Sequence, residues 1–177
     1  MDGRPTDSRL APILRAAELR AVESRHAGST LMERAGTAAA AVAHAMLAES
    51  RGGPVVVLAG PGNNGGDGFV VARLLAESGW RCTVALCCGE PRLGGDAAIN
   101  LERWRSAGGA TTDLAEAKHL LGVAARTRED PPFDLVVDAL FGTGLDRAVG
   151  EDVAAAIAAL DDCGLPVVAV DIPSGLC

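Results

Sequence analysis

The chain has 177 residues, 49% of them apolar, and 16 basic against 23 acidic side chains give a net charge of −7. That is the length of one domain with a proper core, and no stretch approaches a membrane span. The acidic balance argues against nucleic acid and anionic membranes as partners, since both demand a basic face. Tyrosine is absent and Lys118 is the lone lysine, so a Tyr–Lys pair, a lysine Schiff base or a P-loop lysine has almost nothing to be built from. The charged start (Asp2, Arg4, Asp7, Arg9) lacks the apolar run of a signal peptide. The cysteines Cys82, Cys87, Cys88, Cys163 and Cys177 are odd in number and show no C-x-x-C spacing. Buried thiols in a reducing cytoplasm are the expectation, rather than metal ligands or disulfides.

Taken in chain order, residues 9–25 read as a helix with Leu10, Leu14, Ala17, Ala21 and Val22 on one face. A second helix opens with Thr30 and Glu33 at capping-box spacing, runs through "LMERAGTAAAAVAHAML", and is stopped by Gly52-Gly53-Pro54. "VVVLAG" (55–60) is a β-branched run that leads into the loop "PGNNGGDG" and a helix "FVVARLLAES" closed by Gly79. "CTVALCC" (82–88) predicts a second strand and residues 96–107 a helix. A weak third strand near 110–112 is followed by a helix near 114–125. "LVVDALF" (135–141) predicts the fourth strand, 151–162 a helix ended by Gly164, and "PVVAVDI" (166–172) the last strand. Strands that are apolar throughout and alternate with helices imply a mainly parallel sheet covered on both faces. The predicted fold is a doubly wound α/β domain preceded by a helical pair.

Ligands of such sheets bind beyond the carboxyl ends of the strands, where the strand order reverses. With an order 3-2-1-4-5 the reversal lies between the first and fourth strands. Three polar stretches then converge: "GPGNNGGDG", "DALFGTGLDRA" and "DIPSG". In the first, glycines permit positive φ and close approach of a ligand, and a helix starting near Gly68 aims its N–H groups at whatever binds. Asp67 at that helix start competes with an anionic diphosphate, or else simply caps the helix while the asparagines fill left-handed turn positions. Glu90 is either a ribose-binding acid or a solvated loop carboxylate. Asp138 falls inside an apolar strand, where a lone charge needs a cation or several donors. Gly142-Thr143-Gly144 is a tight loop whose amides could hold a phosphate, or an ordinary turn. Asp138, Ser174 and the Asn64 carbonyl would form an all-oxygen site for a hard cation, and a single carboxylate leans towards a monovalent one. His26, His44 and His119 read as surface or boundary residues, Trp80 and Trp104 as packing, and Met32 and Met46 as core filler.

"GPGNNGGDGFVVARLL", "VVDALFGTGL", "VVAVDIPSGL" and the helical "LMERAG" resemble the signature segments of the NAD(P)H-hydrate epimerases, the YjeF N-terminal domain family, and span residues 31–176. The resemblance implies a Rossmann-like fold and an isomerase that epimerises the C6 hydroxyl of hydrated NADH or NADPH, from the R to the S form, in cofactor repair. It places nucleotide and substrate binding on Asn63, Asn64, Gly65, Gly66 and Asp67, on Gly142, Thr143, Gly144, Leu145, Asp146, Arg147 and Ala148, and on Asp171. It places a potassium ion on Asn64, Asp138 and Ser174. Asp171 is the expected acid and base, with Asp67 as helper or ribose anchor, unless both only hold ribose hydroxyls while proximity does the rest. The implied partner is an ADP- or ATP-dependent NAD(P)H-hydrate dehydratase that accepts only the S form, and a homodimer is a further expectation. Family members usually run on past residue 177, so a single epimerase domain over residues 1–177, C-terminally truncated and without the dehydratase domain, is expected. One rival is a non-catalytic nucleotide-binding or scaffold module of the same fold, such as those of messenger-RNA decapping enhancers. The other is a Rossmann oxidoreductase, which the missing tyrosine disfavours.

Overall fold

A computed structural model describes residues 15–25, 29–90, 95–127 and 129–176. Helices α1 (Ala16–Arg25) and α2 (Ser29–Leu47) precede an alternation of β1 (Val55–Ala59), α3 (Asn63–Glu77), β2 (Cys82–Leu86), α4 (Asp96–Ser106), β3 (Ala110–Asp113), α5 (Leu114–Arg126), β4 (Leu135–Ala139), α6 (Glu151–Asp162) and β5 (Val167–Ala169). The sheet order is β3-β2-β1-β4-β5 and every pairing is parallel, as the sequence implied.

The reason the strands carry no polar alternation is visible in the two cores. Val55, Val57 and Ala59 of β1 face α2, α3 and α4, packing with Leu47, Phe69, Leu75 and Trp104. Val56 and Leu58 face the other way, against Leu121 of α5 and Leu160 of α6. Both faces are therefore covered, each fully buried Val or Leu contributing about 1.5–3 kcal/mol. Trp104 is buried and donates its Nε1–H to the Ala110 carbonyl at 3.1 Å, and Trp80 donates to His44 Nδ1 at 3.3 Å, so both tryptophans pack as expected. Met32 is core, but Met46 is exposed on α2.

Several boundaries differ from the sequence reading. Residues 9–14 of the first predicted helix lie outside the described residues, and Ala17 and Ala21 of its apolar face are exposed. Thr30 and Glu33 both lie inside α2, and Glu33 pairs with Arg73 of α3 rather than closing a capping box. Helix α3 starts at Asn63, five residues before Gly68, so the glycine-rich loop is itself the first turn of the helix. The N-cap is Gly62 with no side-chain hydrogen bond, and Asp67 sits in the second turn, which overturns the capping role. The glycines here have no positive φ; they are needed for room. A Cβ on Gly65 would lie 1.9 Å from the Gly60 carbonyl oxygen, and one on Gly60 would lie 1.8 Å from that of Leu140. The ends of β1, β4 and α3 thus meet backbone to backbone.

β2 ends at Leu86 and β4 at Ala139, two residues short of their predicted ends, and β5 keeps only Val167–Ala169 of its predicted seven residues. Val170 still donates its N–H to the Asp138 carbonyl at 2.8 Å. At Asp171 the backbone then turns to φ 65°, and the strand cannot continue. No helix among the described residues is long and apolar enough to cross a membrane.

Candidate active site

The order reversal at β1 and β4 opens a cavity of about 800 Å³ beyond the strand ends. Its floor and sides come from Pro61–Asn64 and Asp67 at the start of α3, from Leu140–Arg147 after β4, and from Val168–Asp171 at the end of β5 and just beyond it. The remaining wall is α2, through Ala35, Ala38, Ala39 and Val42. This wall was not assigned to the site from sequence. Its spacing of i, i+3, i+4 and i+7 marks a stripe on one helix face, but nothing local says what that stripe faces.

Asp138 is the buried hub beneath the cavity, 1% exposed. Its Oδ1 accepts from the Leu140 N–H at 3.2 Å and from Ser174 Oγ at 2.7 Å, and its Oδ2 accepts from the Ser174 N–H at 2.8 Å. The Ser174 hydroxyl oxygen in turn accepts from the Phe141 N–H at 3.1 Å. These bonds join the loop after β4 to the loop after β5. No arginine, lysine or histidine pairs with Asp138 among the described residues, so three donors alone answer a buried charge. Asn64, in the first turn of α3, has both polar atoms of its side chain buried and without a partner. An orphaned amide oxygen and a carboxylate lacking a counter-charge are what an oxygen-coordinated cation would satisfy, so the residues present fit the cation anticipated from sequence.

Asp171 is exposed at the cavity wall. It is the one non-glycine residue with positive φ among those described, a conformation that costs free energy and tends to gather at functional sites. Its Oδ2 accepts from both the Thr143 N–H at 2.7 Å and Thr143 Oγ1 at 3.0 Å. Gly142 must be glycine for this contact, because a Cβ there would stand 2.2 Å from Asp171 Oδ2. The Leu145 N–H is also engaged, donating to the Gly142 carbonyl at 3.2 Å. Two of the amides that a phosphate would use in this loop are therefore already committed.

Among the residues singled out from sequence, Asn63, Asn64, Asp67, Gly142, Thr143, Gly144, Leu145, Asp146, Arg147 and Asp171 all line the cavity. Gly65 and Gly66 are buried behind it, against Gly60 and Met32, and Ala148 stands outside the lining. Glu90 belongs elsewhere: it pairs with Arg105 at 2.6 Å, and that bond holds its carboxyl below the usual range. Asp67, Asp146 and Asp171 supply carboxylates to the cavity and Arg147 a guanidinium. Burial pushes the Cys88 thiol up, an effect the charge of Arg147 moderates. Burial, with the Cys88 and Asp138 charges adding, pushes Cys87 up to about 12. Both Cys87 and Cys163 are buried, and neither thiol offers a nucleophile here. His44 and His119 are exposed, and His26 lies outside the described residues.

Known proteins resemble this chain. Residues 28–177 match the family described as YjeF-related protein N-terminus. An NAD(P)H-hydrate epimerase of Rhodobacter capsulatus is 42% identical over 92% of this chain and 74% of its own length, and the covered share falls to 66% for others of the same name. A bifunctional NAD(P)H-hydrate repair enzyme Nnr of Thermofilum pendens is 39% identical over 82% of this chain and 27% of its own. The crystal structure of yeast ynu0 matches at a TM-score of 0.79 over 93% of this chain and 72% of that one, with 23% identity, a likeness of fold. Fold, loop sequences and relatives agree: the chain belongs to the YjeF-related protein N-terminus family.

Proposed function

We propose that this chain is an NAD(P)H-hydrate epimerase, an isomerase that inverts the C6 centre of hydrated NADH or NADPH in nicotinamide cofactor repair. The observation that carries the reading is Asp171: a carboxylate held by one oxygen at the wall of a cavity of nucleotide-accommodating size, in a chain whose relatives bear that name.

The C6 hydroxyl of the hydrate sits beside the ring nitrogen, so the centre is a hemiaminal. As the C6–O bond breaks, Asp171, having taken a proton from solvent, gives it to the departing oxygen, which leaves as water, and the nitrogen lone pair forms the C6=N bond. The planar ring then turns its other face towards Asp171, where water adds: its oxygen bonds to C6, the π pair returns to nitrogen, and Asp171 takes back a proton. Such acid–base assistance contributes typically 10²–10⁴-fold. Asp67, across the cavity wall on α3, assists or anchors a ribose hydroxyl. The α2 wall, through Ala35, Ala38, Ala39 and Val42, offers the ring an apolar surface while the cavity stays open to the water that the second step needs.

Asn64, Asp138 and Ser174 would hold a potassium ion, supported by the orphaned Asn64 amide and the uncompensated Asp138 charge. When bound, the ion supplies a fixed positive charge that offsets Asp138 and steadies the two loops. The S product is a substrate for an ADP- or ATP-dependent dehydratase, the partner activity in repair. The unpaired cysteines among the described residues fit a reducing cytoplasm.

The test is conversion of R-NADH hydrate by the purified chain with potassium present and an S-specific dehydratase in excess. Acceleration above the spontaneous rate supports the assignment. Tight binding of the hydrate by a folded chain without acceleration would instead make it a binding module.

A further inference from the structure

Among the cavity residues, Thr143 stands out because both of its donors go to the same atom. Its N–H and its hydroxyl converge on Asp171 Oδ2 at 2.7 and 3.0 Å, while no described residue donates to Oδ1. The two oxygens of Asp171 are thus unequal. Oδ2 is saturated and faces the loop after β4; Oδ1 is left for whatever occupies the cavity. Two further observations show that this asymmetry is built in. Asp171 is held at φ 65°, off the strand path, so its carboxylate reaches back over Gly142 instead of following β5. Gly142 has no space for a Cβ, which would lie 2.2 Å from Oδ2.

We propose that Thr143 is a positioning residue for Asp171: it pins Oδ2 so that Oδ1 alone is presented to the substrate in the one orientation that serves proton transfer. This rests on the epimerase reading above. A single hinge-like side chain that rotated freely about its Cα–Cβ bond would divide its time between productive and unproductive orientations, and misplacement by about 1 Å can cost about 10²-fold in rate. A clamp on one oxygen removes that loss without consuming the proton-carrying oxygen. The inference also gives the left-handed Asp171 a reason: the strained backbone places the carboxylate where Thr143 can hold it.

The experiment compares Thr143→Val, which keeps the shape and the N–H but removes the hydroxyl, with Thr143→Ser, which restores the hydroxyl. Steady-state epimerisation should show kcat reduced about 10- to 100-fold in Thr143→Val with KM within about twofold, and most of the loss recovered in Thr143→Ser. A thermal-unfolding double-mutant cycle accompanies it. Thr143→Val should lower Tm by about 3 °C in the wild-type background and by less than about 1 °C in the Asp171→Ala background, where the bond is already gone. Unchanged kcat in Thr143→Val, a loss confined to KM, failure of Thr143→Ser to recover activity, or equal Tm losses in both backgrounds would each overturn the proposal. A wild-type chain with no turnover overturns the epimerase reading and the catalytic part of this proposal together. Turnover by the wild type without the Thr143→Val pattern overturns this proposal alone.

Discussion

Replacing Asp138 with asparagine exchanges one carboxylate oxygen for an NH₂ group at the centre of the site and leaves the volume almost unaltered. The carboxylate accepts three bonds, from Leu140 N–H, Ser174 N–H and Ser174 Oγ, and is 1% exposed. An amide keeps one acceptor oxygen and turns an NH₂ group on the other side, so at least one buried backbone N–H loses its partner. An orphaned donor costs about 1–3 kcal/mol, and the surviving bonds fall from the charge-assisted class of about 1.5–3 kcal/mol to about 0.5–1.5. Working against this, the substitution removes a buried charge, which by itself is stabilising. We expect the donors to win, with a net loss of about 2–4 kcal/mol. For a domain of this size about 1 kcal/mol moves Tm by about 2–4 °C, so Tm should fall by about 5–15 °C, measured by circular dichroism in potassium-containing buffer. An unchanged or raised Tm would refute the reasoning, because it would mean that the cost of burying the carboxylate outweighs all three bonds.

Three further outcomes are expected. Replacing potassium with choline at constant ionic strength should lower Tm of the wild-type chain, as loss of a ligand bound only by the native state must, and Asn64→Ala should abolish that difference; equal Tm values in the two salts would contradict a bound cation. Gly65→Ala forces a Cβ to within 1.9 Å of the Gly60 carbonyl oxygen, where only backbone can yield, and should cost more than about 3 kcal/mol, whereas Gly52→Ala has φ 82° but nothing within 4 Å and should cost only about 1–2 kcal/mol; urea midpoints compare the two. Asp134, at the opposite end of the sheet, is subject to burial that raises its carboxyl, but the Gly53 N–H, the Ser50 hydroxyl and Arg51 outweigh it and hold the carboxyl below the usual range. A carboxyl lowered in the folded state stabilises above its unfolded value of about 3.9 and ceases to do so as pH falls through the folded value, so the Tm deficit of Asp134→Asn should be full near neutrality and shrink below about pH 4.

The parallel sheet and, once the order 3-2-1-4-5 is assumed, the convergence of three loops were legible because they follow from general rules: apolar strands need two covered faces, and an order reversal gathers strand ends. Asp138 could be flagged because a carboxylate in "LVVDALF" contradicts its surroundings. What escaped depends on contacts between distant segments. The start of α3 at Asn63 is set by Gly65 packing on Gly60, and Gly60 packing on Leu140, so glycines that look like loop residues are helical for tertiary reasons. "PVVAVDI" reads as a long strand, yet at Asp171 the backbone turns to φ 65° and leaves the sheet, its carboxylate bonded to Thr143 of a distant loop. The alanines of α2 carry a pattern that announces a packed face, but that the face closes a cavity follows only from where β5 and the loop after β4 end.

The most direct test of the central claim starts from epimerically pure R- or S-NADH hydrate and follows the approach to the R/S equilibrium by reversed-phase chromatography, with wild-type chain and with Asp171→Asn. The account predicts that the wild type accelerates the approach from either side without moving the equilibrium, and that Asp171→Asn, folded as well as the wild type, is slower by about 10²–10⁴-fold. Equal rates for the two proteins would contradict it.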